Sequence, residues 1–495
     1  MSRPSSPEEP VWMGLDLGTQ SARALVISCD GQVLGHGSRP LSGKRSGPCH
    51  EQDAREWWEA LAGACQTALG GMRPEQVRGV ATDATSGTIL LVDSEGAPVT
   101  DGMMYDDSRA AEQARRVNEI GEGVWSSLGY RMQPSWGLPK LAWMIDHRSE
   151  LLPHARLAHQ ADYINRRLVG SDVPADSSHS LKTGYDLLND SWPHDVLTEL
   201  GVPAGMMPEV VRSGSRLGEV CEEAARQTGI PAGTAVIAGM TDSCSAQLAA
   251  GALGHGSWNS ALGTTLALKG ASPELVRDPN GTLYCHRSPD DGWLPGGASS
   301  TGAGVLSASF PGGDLDELGR RAAEHEETGV LAYPLASAGE RFPFEAPDAE
   351  GFMLGRPADQ AEHFAALLQG MAFVERLCFD YVDMLGAPIG GELTLTGGST
   401  RGRYFCQLRA DVLGRPVRLL ECDESAVGMA VLAASEGSRV ASTAAEMVRV
   451  REVIEPRPGR TEYFLEPYVR LVEELERRCW LPTGVADHAR AGAAP

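Results

Sequence analysis

The hydrophobic pattern begins with a seven-residue run, Val11 to Leu17 (VWMGLDL), that predicts a strand. Gly18-Thr19-Gln20-Ser21 interrupts it. Arg23 to Ser28 then predicts a second strand ending at an Asp30-Gly31 turn, and GQVLGHGS a third, so the chain opens as a β-meander. About half the chain later the pattern returns: Trp258 to Leu262, then Gly263-Thr264-Thr265, then another apolar run. Two similar domains, each with a phosphate-facing hairpin, explain the recurrence; so does coincidence, because strand-Gly-Thr-strand is common. Apolar residues at helical spacing predict helices over 53–69, with Trp57, Trp58 and Leu61 inward, and over 361–385, where Phe364, Leu367, Leu368, Met371, Val374, Leu377, Cys378 and Tyr381 form a core stripe. A strand over 392–396 then meets Gly397-Gly398-Ser399 ahead of a helix over about 402–413, a place where backbone can approach a ligand closely. The alternation of β-rich and helical runs predicts an α/β protein. Residues 1–10 and 483–495 read as flexible tails.

Composition narrows the partners. The 495 residues are long enough for two large domains. A formal net charge of -23 disfavours nucleic acid or an anionic membrane surface as partner, while leaving a nucleotide possible through backbone N–H groups, helix N-termini and Mg²⁺. No apolar run is long enough to span a membrane, and the first ten residues lack the apolar stretch of a secretory signal. The 10 cysteines are scattered, with no C-x-x-C pair and no zinc spacing, as expected for reduced thiols in a cytoplasmic protein.

The chain contains no Walker A loop and no strand-borne G-x-G-x-x-G. Asp16-Leu17-Gly18-Thr19 supplies another phosphate-handling device. Gly18 lets the backbone come close to a phosphate, Thr19 adds a hydroxyl donor, and Asp16 can hold Mg²⁺ through waters. A plain Asp-Gly turn would look the same over four residues; Ser21 and Arg23 lengthen the pattern. Further on, a short apolar strand runs into Gly239, and Asp242 follows at a helix start. Asp there is a common N-cap. It is also a suitable base for the proton of an attacking hydroxyl, and phosphoryl transfer asks little more of a protein than one positioned base and charge neutralisation.

These segments, in order, resemble the FGGY carbohydrate kinases over roughly residues 11–450. DLGTQSAR is similar to the first phosphate motif of that family, GMTDSCSAQLAAGA to the segment with its catalytic aspartate, ALGTT to its second phosphate motif, GGASSTGAGVL to a later nucleotide-side segment, and TGGSTRGRYFCQLRADVLGRPV to its adenosine motif. The resemblance implies two actin-like (ribonuclease H-like) α/β domains flanking a central cleft: a sugar-binding domain over 11–250 and a nucleotide-binding domain over 251–482. It implies ATP and Mg²⁺ as cofactors, Asp242, Asp16 and Thr19 as catalytic residues, and Asp16 and Asp242 as the metal residues. Gly18, Thr19, Gln20, Arg23, Gly263, Thr264, Thr265, Gly302, Gly397, Gly398 and Ser399 become the nucleotide-side candidates. Many family members have three glycines opening the adenosine motif, followed by Gly or Ala and then Lys. Here Thr396 precedes two glycines and Ser399-Thr400-Arg401 follows them, which leaves the adenine contacts open.

The resemblance places the acceptor on the N-terminal domain, at Asp83, Thr85, Ser86, Gly87, Gln160, Asp162 and Asp242, with Asp107 accepting bonds from sugar hydroxyls and Arg109 locking that carboxylate. Asp107 with Arg109 also reads as a surface ion pair. Xylulose kinases carry a Gln-Met-His-Gly run where this chain has Thr85-Ser86-Gly87-Thr88, whereas Asp83-Ala84-Thr85, His159–Tyr163, Lys182–Asp186 and Gly339–Pro343 look like a D-ribulose kinase branch. The expected reaction is therefore ATP-dependent phosphorylation of D-ribulose to D-ribulose 5-phosphate, with D-xylulose or a polyol as the alternative acceptor and a monomer or homodimer as the assembly. An actin-like ATP-binding sensor without kinase activity shares the two hairpins, as does a phosphohydrolase on the same fold; sugar-stimulated ADP release separates a kinase from both.

Overall fold

In the computed structural model of the chain, residues 9–493 are described, and they divide into two compact units. The first runs up to Gly251 and adds His286–Gly292 and Cys422–Arg449; the second holds Ala252–Cys285, Trp293–Glu421 and the chain from Val450 onward.

The first unit is built on a six-stranded sheet. Its strands are β1 (Val11–Leu17), β2 (Ser21–Ser28), β3 (Val33–Pro40), β4 (Val77–Ala84), β5 (Arg216–Glu219) and β6 (Ala235–Ile237), in the order β5-β6-β4-β1-β2-β3. The opening meander is present as read, with β1 antiparallel to β2 and β2 to β3. Strands β6, β4 and β1 are parallel neighbours. The first predicted helix forms as α1 (Ala54–Ala68), capped by the Asp53 carboxylate on the Arg55 N–H, and it buries Trp57, Trp58 and Leu61. Three further helices serve the site: α2 (Gly137–His147), α3 (Gln160–Val169) and α4 (Asp242–Ala249).

The second unit repeats that topology. Strands β7 (Trp258–Leu262), β8 (Leu266–Gly270), β9 (Trp293–Ser299), β10 (Leu393–Thr396), β11 (Val417–Leu420) and β12 (Val450–Ile454) stand in the order β12-β11-β10-β7-β8-β9, and a seventh strand, Tyr284–Arg287, is added beyond β9. The pairings along this row are antiparallel, parallel, parallel, antiparallel and antiparallel, the same series as along β5-β6-β4-β1-β2-β3. Gly18-Thr19-Gln20 and Gly263-Thr264-Thr265 are thus the same three-residue connection of one recurring meander. Helices α5 (Gln360–Met384) and α6 (Arg403–Leu413) lie within two residues of their sequence-predicted bounds, and α5 buries every residue of the expected stripe.

Two expectations are corrected. A single boundary near 250 misses the return of the chain: α7 (Ser425–Ala434) packs on β1 and β4 of the first unit. Gly14 makes that contact possible, since a Cβ there would lie 1.7 Å from the Ala426 carbonyl oxygen. Residues 483–495 are not simply a tail, because Thr483–Gly492 forms helix α8 and buries Val485, Ala486 and Ala489 as it packs against α5. Of the expected N-terminal tail, residues 1–8 lie outside the described residues, as do residues 494 and 495. Among the described residues no helix is long and apolar enough to cross a membrane.

Candidate active site

Three neighbouring parallel strands of the first unit deliver an aspartate at or just beyond their C-terminal ends, where ligands of α/β sheets collect. Asp16 lies near the end of β1, and Asp83 is its direct partner in the β1–β4 register. One residue on, Ala84 forms a parallel bridge with Thr241, which puts Asp242 beside them as the first residue of α4. Asp242 is thus not the N-cap, a position Thr241 occupies.

The three carboxyls influence one another. Asp83 is fully buried beside the Asp16 carboxyl and the Ser245 hydroxyl, and neither of its oxygens makes a well-formed hydrogen bond. Burial, then the charge of Asp16, pushes its carboxyl well above the usual carboxylate range. Asp16 is buried and also raised by desolvation, against the pull of Arg23, whose guanidinium lies 3.2 Å from Oδ2. Asp242 is raised by desolvation, while the Ser243 N–H, donating to Oδ1 at 2.7 Å, and the charge of Lys182 act the other way. A partly exposed carboxylate so raised is a better proton acceptor than an ordinary one.

The first hairpin turns sharply, with the Gly18 N–H donating to the Ser21 carbonyl at 3.1 Å. Gln52 supports it by donating to the Thr19 carbonyl at 2.8 Å, and Trp57 in turn donates to Gln52 Oε1 at 2.7 Å. Thr19 is half-buried and Gln20 exposed.

The expected acceptor residues separate into two sets. Thr85, Ser86, Gly87 and Gln160 come together: Gln160 Oε1 accepts from the Thr85 N–H at 3.1 Å and from the Thr85 hydroxyl at 2.6 Å. Ser86 Oγ, Gln160 Nε2, Thr82 Oγ1 and both Asp83 oxygens are buried without a well-formed hydrogen bond. Buried polar atoms are nearly always paired, so such a group marks where a polar ligand completes the set. The second set is tied up largely by the protein's own groups. Asp107 is fully buried, and its oxygens accept from the His50 N–H at 2.7 Å and from the Arg109 side chain at 2.6–3.1 Å. That corrects the reading of the pair as a surface ion pair. Asp162 Oδ2 accepts from the His159 N–H and lies 2.6 Å from His159 Nδ1, closing a capping box on α3, although Oδ1 has no partner.

Two lysines to which sequence reasoning gave no role of their own also stand here. Lys140, on α2, is fully buried and donates to the carbonyls of Gly87 at 2.8 Å and Met104 at 2.6 Å, and more weakly to Met103 at 3.4 Å. Lys182 lies with its Nζ 3.5 Å from the Ser86 carbonyl and over the Trp136 ring. A lysine in the apolar run LPKLAWM was the available signal for the first.

In the second unit the nucleotide-side candidates gather at one end of the β7–β10 pair. The Ala303 N–H donates to the Gly263 carbonyl at 2.9 Å and the Gly304 N–H to that of Thr264 at 3.2 Å. A Cβ on Gly302 would lie 2.5 Å from the Thr264 carbonyl oxygen, and one on Gly397, at φ +87°, 2.8 Å from that of Leu262. Gly263 to Thr265, Gly302 and Gly397 to Ser399 therefore form one close-packed set of loops, as backbone recognition of phosphate requires.

Residues 11–249 match the N-terminal domain, and residues 258–436 the C-terminal domain, of the FGGY family of carbohydrate kinases. A xylulose kinase of Streptomyces coelicolor is 30% identical over 444 residues, covering 87% of this chain and 89% of that protein. The crystal structure of xylulose kinase from Rhodospirillum rubrum superposes with a TM-score of 0.84 at 26% identity, covering 94% of this chain and 99% of that one. That of Plasmodium falciparum glycerol kinase with ADP shares the fold, with a TM-score of 0.82 at 18% identity and 94% and 98% coverage. The chain belongs to the FGGY family of carbohydrate kinases, and it is a phosphotransferase of the actin-like two-domain fold.

Proposed function

We propose that this kinase transfers the γ-phosphoryl group of ATP to the terminal hydroxyl of a five-carbon ketose, with Asp242 taking the proton. The delivery of Asp16, Asp83 and Asp242 by adjacent strands, beside the unpartnered atoms of Ser86 and Gln160, carries this reading. Ser86, Gln160 and Asp83 hold the hydroxyls and orient the ketose. Asp242 accepts the proton as the hydroxyl oxygen attacks phosphorus, and Lys182 moderates its charge. In the second unit the Gly263-Thr264-Thr265 turn, Gly302, Gly397, Gly398 and Ser399 hold the nucleotide, and in the first the Thr19 hydroxyl is the phosphate donor of the Gly18 turn.

The donor set fits Mg²⁺. Among the described residues no three acidic or other ligating side chains form a metal cage, but Mg²⁺ commonly needs only one or two carboxylates, waters and substrate phosphates. Asp16 and Asp242, two mutually repelling carboxyls, are the residues that would hold it. When bound, the ion would neutralise phosphate charge.

D-xylulose is the first choice of acceptor, because relatives named xylulose kinase cover most of the chain at 24–30% identity. D-ribulose is the second, on one observation: Thr85-Ser86-Gly87 stands where xylulose kinases carry Gln-Met-His, with Asp83, which makes no well-formed hydrogen bond, beside it. An ATP-consumption screen over D-xylulose, D-ribulose, ribitol, arabitol and glycerol, with products identified by NMR, tests this. Stimulation by one pentulose above the polyols is expected; stimulation by none of the five removes the acceptor assignment.

A further inference from the structure

Arg409 and Glu375 form an ion pair with no solvent exposure on either side chain. Arg409 lies on α6, on the same buried face as Phe405 and Val412, and Glu375 lies on α5. The carboxylate accepts from Arg409 Nε at 2.7 Å and from an η nitrogen at 2.8 Å, a bidentate contact that fixes the guanidinium plane. The remaining donors do not stay on the helices. One η nitrogen reaches Ser260 Oγ at 2.8 Å and the Ser260 carbonyl at 3.3 Å, and the other reaches Ser399 Oγ at 3.2 Å. Ser260 stands on β7 three residues before Gly263, and Ser399 closes the Gly397-Gly398-Ser399 loop that follows β10.

One buried cation thus ties together the strand that presents Gly263-Thr264-Thr265 and the loop presenting Gly397-Gly398-Ser399. A buried ion pair is a poor source of stability, because desolvation of two charges offsets most of their attraction, so its use must lie in geometry. Ser399 also stands where many family members carry Gly or Ala, and its hydroxyl is what Arg409 reaches.

We propose that Arg409, oriented by Glu375, is a positioning residue for the nucleotide: it sets the spacing between the Gly263 hairpin and the Gly397 loop and holds the Ser399 hydroxyl in place. The proposal rests on the reading that these loops hold ATP. It requires that loss of the tie weaken nucleotide binding and leave the acceptor alone.

The test is isothermal titration of ADP and, separately, of the accepted pentulose into the wild type, Arg409→Lys, Ser399→Ala and the double variant Arg409→Met/Glu375→Leu. The double variant replaces the pair by apolar groups of similar size, so that no charge is left buried alone. The expected result is ADP affinity about 10-fold or more weaker in the double variant, intermediate in Arg409→Lys because an ammonium lacks the planar fork, and modestly weaker in Ser399→Ala, with pentulose affinity unchanged throughout. Should the double variant fail to fold, Arg409→Lys and Ser399→Ala carry the same comparison. ADP affinity within twofold of the wild type in every folded variant overturns the positioning role alone. No ADP binding by the wild type overturns the nucleotide assignment of both loops, and the proposal with it.

Discussion

Asp16 and Asp83 stand directly opposite one another on the parallel strands β1 and β4, both buried, with Arg23 paired to the first and no well-formed hydrogen bond on the second. In-register residues on neighbouring strands project to the same face, so two carboxyls share one low-dielectric patch and cannot both ionise freely. The Asp83 carboxyl is held well above its ordinary value of 3.8, so the folded state binds a proton that the unfolded state has released. Stability therefore falls as pH rises from about 4 through the folded value. Asp83→Asn is expected to abolish that part of the pH dependence and to be more stable than the wild type at neutral pH; parallel thermal melts of the two between pH 5 and 8 check it. Equal melting temperatures at every pH would remove the carboxyl pair from the account.

Lys140 makes the opposite demand. Burial lowers its ammonium to about 7, with Lys182 and Arg109 opposing the charge and Asp107 and Asp106 favouring it. Between pH 7 and 10.5 the unfolded chain holds a proton that the folded chain has lost, so this group adds stability as pH rises through that window. An ammonium offers three donors to the carbonyls of Gly87, Met104 and Met103, and the neutral amine only two. Lys140→Met is expected to flatten the stability profile in that window. It should also raise KM for the pentulose about 10-fold, through loss of the hold on Gly87, with KM for ATP unchanged. Melts across pH and initial rates measure both.

Asp107 separates a structural from a substrate role. Removing it leaves the half-buried Arg109 charge and the His50 N–H without that acceptor, although Glu51 lies 2.7 Å from Arg109. Asp107→Ala should therefore lose about 3–5 kcal/mol of stability, while the folded fraction keeps its pentulose KM. Denaturant titration together with KM on the folded protein decides it; a large rise in KM without loss of stability would restore the sugar contact.

Much of this was legible in the chain. The β1–β2 meander and its return at Trp258 to Leu266 announced themselves because a strand-Gly-Thr-strand connection is local, and the repeated six-strand topology is what that local echo grows into. Asp16, Asp242, Gly263 and Gly397 were readable for the same reason. What escaped depends on contacts distant in sequence. The α7 return is set by a helix pressing on Gly14 more than four hundred residues earlier. Helix α8 buries only small side chains, too weak a stripe to separate from a tail. The burial of Asp107 depends on His50 and Arg109, and the Arg409–Glu375 tie joins two helices. Neither pair has a periodic signature.

The most direct test of the proton-transfer claim is pentulose-dependent ADP release by the wild type and by Asp242→Asn, measured alongside pentulose and ADP binding. Asparagine keeps the size and the helix start but cannot accept the proton. The expected result is turnover lower by about 10²–10⁴-fold with both ligands still bound. Pentulose-dependent turnover in Asp242→Asn within a few fold of the wild type would contradict it.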